Sequence, residues 1–85
     1  MRIDRFLFFI RLAKSRTLAQ GIVAAGHVRI DGRRIDKPSE EVRAGSVVAM
    51  PLHGAVHVIR VVSLPARRGP VVEARRHYQE IDAPD

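Results

Sequence analysis

The sequence predicts an α+β fold: two N-terminal helices packed on a small antiparallel sheet, with a short C-terminal helix docked on helix one. Three observations carry this. Apolar residues recur at three- and four-residue intervals as far as Gly26, strict alternation replaces that spacing beyond it, and helical spacing returns after the Pro- and Gly-containing residues 64–70. The chain has 85 residues and no cysteine, so one thin hydrophobic core must hold it together without disulfides.

Helix one is predicted over residues 3–13, where Ile3, Phe6, Leu7, Ile10 and Ala13 share one face. Phe8 and Leu12 fall on another face and want a second partner, which the C-terminal helix is expected to supply. Ser15 offers an N-cap for helix two, whose buried stripe is predicted as Leu18, Ala19, Ile22 and Val23, and Gly26 stops it. Val28 and Ile30 then alternate with Arg29, Asp31-Gly32 supplies a two-residue turn, and Arg33-Arg34-Ile35 returns as the second strand of a hairpin. A third strand is expected from Ser46 to Met50, ended by Pro51, and a fourth over residues 55–62 with a possible bulge where the alternation slips between Val58 and Ile59. Val71, Ala74, Tyr78 and Ile81 predict a last helix, which Ala83-Pro84-Asp85 ends.

Charge narrows the function. Of fifteen Lys and Arg, nine lie in residues 1–37 against three acids, so the entire net charge of +6 sits before Pro38. Thirteen of the fifteen are Arg, whose planar fork matches phosphate oxygens. Lys14-Ser15-Arg16-Thr17 stands at the start of helix two, where free backbone amides and the helix dipole favour an anion. Arg29, with Val28 and Ile30 facing the core, is expected to face outward beside Arg33 and Arg34, so that the helix start and the hairpin line one groove.

Catalysis has little support. The six glycines are scattered singly, which excludes a Gly-rich phosphate loop, and Asp4, Asp31 and Asp36 lie among arginines, where ion pairing or capping explains them. His53 and His57 straddle a predicted turn and strand with no third ligand, so no metal and no cofactor is expected. The apolar run Phe6 to Ile10 is five residues, too short for a secretory h-region or a membrane span, and a cytoplasmic protein is expected.

The ordered run Arg2-Ile3-Asp4-Arg5-Phe6-Leu7, Lys14-Ser15-Arg16-Thr17-Leu18-Ala19, Gly26-His27-Val28-Arg29-Ile30-Asp31-Gly32 and Lys37-Pro38-Ser39 resembles the RNA-binding domain of small-subunit ribosomal protein S4, across about residues 2–50. Arg68-Gly69-Pro70 followed by Glu73-Ala74, Tyr78 and Glu80 is similar to the bacterial fifteen-kilodalton ribosome-associated heat-shock protein family. The resemblance implies an S4-like RNA-binding unit over residues 1–64, with 65–85 as a loop and short helix packed on the same domain. It implies an RNA surface made of Arg2, Arg5, Lys14, Ser15, Arg16, Thr17, Arg29, Arg33, Arg34 and Lys37. A non-enzymatic monomer is expected, and the partner the resemblance implies is structured ribosomal RNA of the large subunit, with transfer RNA on stalled subunits, in a heat-shock recycling role. The alternatives are a helix-turn-helix-like DNA binder, and an S4-like module serving RNA modification or ribosome assembly beside a separate enzyme. A basic amphipathic membrane helix over residues 1–14 is a weaker rival, because packing explains Phe8 and Leu12 more simply.

Overall fold

The computed structural model describes residues 1–81, in which two helices cover one face of a five-stranded antiparallel sheet. Helix α1 spans Ile3–Phe9, shorter than its apolar stripe suggests. Arg11 adopts a left-handed φ of 65°, its amide donates to the Phe8 carbonyl at 3.2 Å, and the Leu12 amide donates to the Leu7 carbonyl at 3.1 Å. This pairing is a Schellman closure, usually made by glycine at the left-handed position. Ile10 and Ala13 remain buried because the closure folds them back over the same core.

Helix α2, Arg16–Ala24, starts where Ser15 predicts: the Ser15 hydroxyl accepts from the Leu18 amide at 3.0 Å. Ala19 and Val23 carry its buried stripe, whereas Leu18 points to solvent, a correction to the expected core set. Gly26, at φ 83°, ends it.

Strands β1 (Val28–Ile30) and β2 (Arg33–Ile35) form the expected hairpin, with Asp31 and Gly32 both in the left-handed region that a type I′ turn requires. The Asp31 carboxylate also accepts from the Val47 amide at 2.9 Å, tying the turn to the next strand.

Strand β3 runs Val47–Leu52, through Pro51, and β4 runs Ala55–Val61 across a second positive-φ turn at His53-Gly54. A two-residue turn makes Leu52 and Ala55 a hydrogen-bonded pair, so at Pro51 the missing N–H faces away from β4, beyond the start of β1 at Val28. Pro51 therefore breaks no pairing with β4. The register runs unbroken from Val47 opposite Arg60 to Leu52 opposite Ala55, so the expected bulge is absent. The apparent slip arises because Val56 and Val58 lie on the solvent face while His57 faces inward.

The tail departs most from expectation. Only one α-helical turn, α3 (Val71–Ala74), forms; it continues as a 3-10 turn over Arg75–His77 and then as strand β5, Tyr78–Glu80, paired antiparallel to β4. The sheet order is β2-β1-β3-β4-β5. The helix end expected at Ala83-Pro84-Asp85 lies outside the described residues. Docking on α1 is carried by the loop ahead of α3: the Arg68 guanidinium lies 4.5 Å from the Phe8 ring centroid and its Nε donates to the Phe8 carbonyl at 3.0 Å. Arg11 Nε donates to the Gly69 carbonyl from the other side. Phe8→Ala removes the cation–π contact and part of an apolar surface, and is expected to cost about 1 kcal/mol, or roughly 4–8 °C in a thermal melt. An unchanged Tm would contradict this docking.

The core lies between helices and sheet, built from Ile3, Phe6, Leu7 and Ile10 against Val28, Val48, Met50, Ile59 and Val61, with Val42 closing one end. No helix among the described residues is long and apolar enough to cross a membrane.

Candidate nucleic-acid interface

The site is organised by a carboxylate that sequence reading treats as an incidental ion-pair partner. Asp4, in the first turn of α1, is fully buried. Its Oδ1 accepts from the Arg5 amide at 2.7 Å and from Arg2 Nε at 3.1 Å. Its Oδ2 accepts from Arg2 Nη2 at 3.1 Å and from Gln20 Nε2 at 3.2 Å, and Arg16 Nε stands 3.6 Å away. Burial pushes this carboxyl up, but the hydrogen bonds from Gln20, Arg2 and the Arg5 amide outweigh it and hold the group below the usual aspartate range. Asp4 is thus an anion fixed beneath two arginines.

Those two arginines are the useful groups. Arg2 and Arg16 keep 44% and 46% of their side chains exposed, so each stays open to solvent while Asp4 sets its position. The trio carries a net +1. The chain after Lys37 is laced to the same place: the Ile3 amide donates to the Glu40 carbonyl at 2.8 Å and the Asp4 amide to the Pro38 carbonyl at 3.3 Å. Exposed Lys14, Thr17 and Lys37 flank the cluster, and the Ser15 oxygen serves as the helix cap. Arg5 lies farther along α1, its guanidinium 5.2 Å from the Phe9 centroid.

The hairpin arginines do not form one group. Arg33 lies opposite Ile30 and so shares the helix-covered side, where its Nη2 donates to Glu40 at 3.3 Å. Arg29 and Arg34 lie opposite each other and project from the far side of the sheet. The single groove expected from the sequence therefore resolves into two faces, because alternation in a strand sends neighbours Arg33 and Arg34 in opposite directions. Gln20 is the contributor that sequence reading missed; its signal is a lone polar residue four positions after Arg16.

Among the described residues, no cluster of three or more His, Asp or Glu side chains is placed to hold a metal. The groove between the hairpin turn and residues 39–46 sets Arg33 and Arg43 against Glu40 and Glu41. Beyond Gln20, the solvent side of α2 offers Gly21, Ala24 and Ala25, which have no polar atom to read a base edge.

Two helices on one face of an antiparallel sheet, with half-exposed arginines held at their N-termini by a buried carboxylate, define a small basic anion-binding module. The chain belongs to the S4 domain family, which it matches over residues 1–48. Among relatives, it is similar to the small ribosomal subunit protein uS4 of Lacticaseibacillus casei, 45% identical over 49 residues that make up 58% of this chain and 24% of that protein. It is also similar to uS4 of Limosilactobacillus fermentum, 36% identical over 84 residues, or 96% of this chain and 38% of the relative. The chain thus spans well under half the length of these curated relatives. Among solved structures, heat shock protein 15 of Vibrio cholerae, determined as a trimer, superposes with a TM-score of 0.89 at 30% identity, covering 95% of this chain and 81% of that one.

Proposed function

We propose that this protein binds structured ribosomal RNA, through phosphate contacts and shape, by the surface that Arg2, Lys14, Arg16, Thr17 and Lys37 present around Asp4. The observation that carries the reading is the fixed Arg2–Asp4–Arg16 arrangement at adjoining helix starts, where the dipole of α2 adds to the positive field. The state of the aromatics supports recognition without base stacking. Phe6 is buried, Phe8 and Phe9 each lie beneath an arginine, and Tyr78 packs against the core.

In this reading residues 1–64 carry the RNA surface, with Arg5, Ser15 and Arg33 at its margins, and the segment from 65 onward closes the fold. The protein acts by binding, with no catalytic step and no cofactor, in the cytoplasm. Likeness to heat shock protein 15 supports ribosome association; within it, we assign the large subunit, with a stalled subunit's transfer RNA nearby, as the target. The free protein is read as a monomer, against the trimer of the Vibrio relative.

Ribosomal RNA is expected to bind more tightly than a DNA duplex of equal length, with log affinity falling linearly in log salt concentration. Sedimentation with cell extract should bring the protein down with the large subunit at low salt. Equal affinity for duplex DNA, or migration away from ribosomes, would contradict the proposal.

A further inference from the structure

We propose that the open face of the sheet is a second RNA-backbone surface, formed by Arg29, Arg34 and Arg60, so that the domain bridges two RNA segments; this rests on the RNA-binding reading above. The register places Arg34, Arg29, Ala49 and Val58 in one row across four strands, with Val47 and Arg60 in the adjacent row. Among the described residues no helix covers this side: all three arginines are exposed, and Val56 beside them is 67% exposed.

The charges on this face lack what four of the other arginines have. Arg2, Arg16, Arg33 and Arg67 each meet a carboxylate. Among the described residues Arg29, Arg34 and Arg60 meet none; Arg29 donates to the Gly32 carbonyl at 3.3 Å and Arg34 to the Gly26 carbonyl at 2.6 Å. Asp31, at the corner, has one carboxylate oxygen engaged by the Val47 amide. Arg29 and Arg34 stand directly opposite each other, a like-charge pair that destabilises a free sheet and that a bound polyanion would relieve. From strand spacing, Arg60 lies about 12 Å from Arg29, so the cations are spread across the face.

The occupant argued for is RNA rather than protein. The apolar residues between the arginines are small, Val47, Ala49 and Val58, and no aromatic anchor stands among them, whereas protein hot spots favour Trp and Tyr in pockets. A basic surface on the opposite side of a body measuring 29 × 27 × 23 Å from the Arg2–Arg16 cluster suits a second backbone segment.

The test compares wild type, Arg29→Gln/Arg34→Gln/Arg60→Gln and Lys14→Gln/Arg16→Gln, binding purified ribosomal RNA across a salt series, with RNA crosslinks mapped onto the protein. The outer-face triple is expected to reduce the slope of log affinity against log salt by about 2 and to lose crosslinks at β1 and β4 while keeping those at α2. Its Tm should be unchanged or slightly raised, since the like-charge pair is gone, which separates the effect from unfolding. A slope and crosslink map identical to wild type would overturn the inference while leaving the helix-side reading intact. In a parallel crosslinking arm on whole ribosomes, loss only of a crosslink to a ribosomal protein would also overturn it and assign the face to protein. Wild-type protein that fails to bind ribosomal RNA would overturn both readings.

Discussion

Replacing Lys14, Arg16 and Lys37 together by Ala is expected to weaken ribosomal RNA binding about 100-fold near physiological salt and to lower the salt slope by about 2–3. Each of these side chains is exposed, and each lies at the start of α2 or in the chain laced to the start of α1. A cation that neutralises a phosphate releases a condensed counterion, so its loss appears in the salt slope as well as in affinity. Folding should be nearly untouched. Surface substitutions cost within about 0.5 kcal/mol, and the half-exposed Arg16–Asp4 contact contributes about 1 kcal/mol at most. Binding isotherms at several salt concentrations, beside a thermal melt, check both halves. A variant that keeps the wild-type slope would show that the RNA lies elsewhere.

Asp4→Ala has the largest expected effect on stability. It leaves Gln20, Arg2 and the Arg5 amide without their acceptor and empties a buried position, which should cost about 2–3 kcal/mol and lower Tm by roughly 10–20 °C. Its effect on RNA binding separates two explanations. Removing a negative charge raises the net charge, so electrostatics alone predicts tighter binding. If Asp4 positions Arg2 and Arg16, binding weakens instead, by about fivefold, measured where the variant is still folded.

The pH dependence has a definite sign. Because the folded carboxyl titrates below its unfolded value, its contribution is fully present above the ordinary aspartate pKa of about 3.9 and is lost as pH falls through the lower folded value. Asp4→Asn should therefore show a flatter stability profile than wild type below about pH 4, with less stability at neutral pH.

What the sequence disclosed was set by how local each determinant is. Ser15, Gly26 and the Asp31-Gly32 turn act on their immediate neighbours, so α2 and the first hairpin were legible from residue type alone. Arg11 hid the end of α1 by taking a left-handed conformation usually left to glycine, while Ile10 and Ala13 continued the apolar period past the last helical turn. Tyr78–Glu80 kept helical spacing yet pair with β4, a choice made by an unpaired sheet edge far away in sequence.

The site followed the same division. The cations and their concentration before Pro38 were plain in composition, and the family resemblance selected them. Their partition between two faces was not, because it depends on the register of Arg29 with Arg34 and Arg33 with Ile30. Arg60 went unnoticed in a segment of zero net charge, although the fold sets it on the same face as Arg29.

The central claim, that the helix starts contact ribosomal RNA, is tested most directly by crosslinking the wild-type protein to ribosomes and mapping the RNA-modified peptides. Modification concentrated in residues 14–17 and at Lys37, attached to large-subunit RNA, is the predicted result. RNA adducts absent from both segments, or no RNA adducts at all on protein that co-sediments with ribosomes, would contradict it.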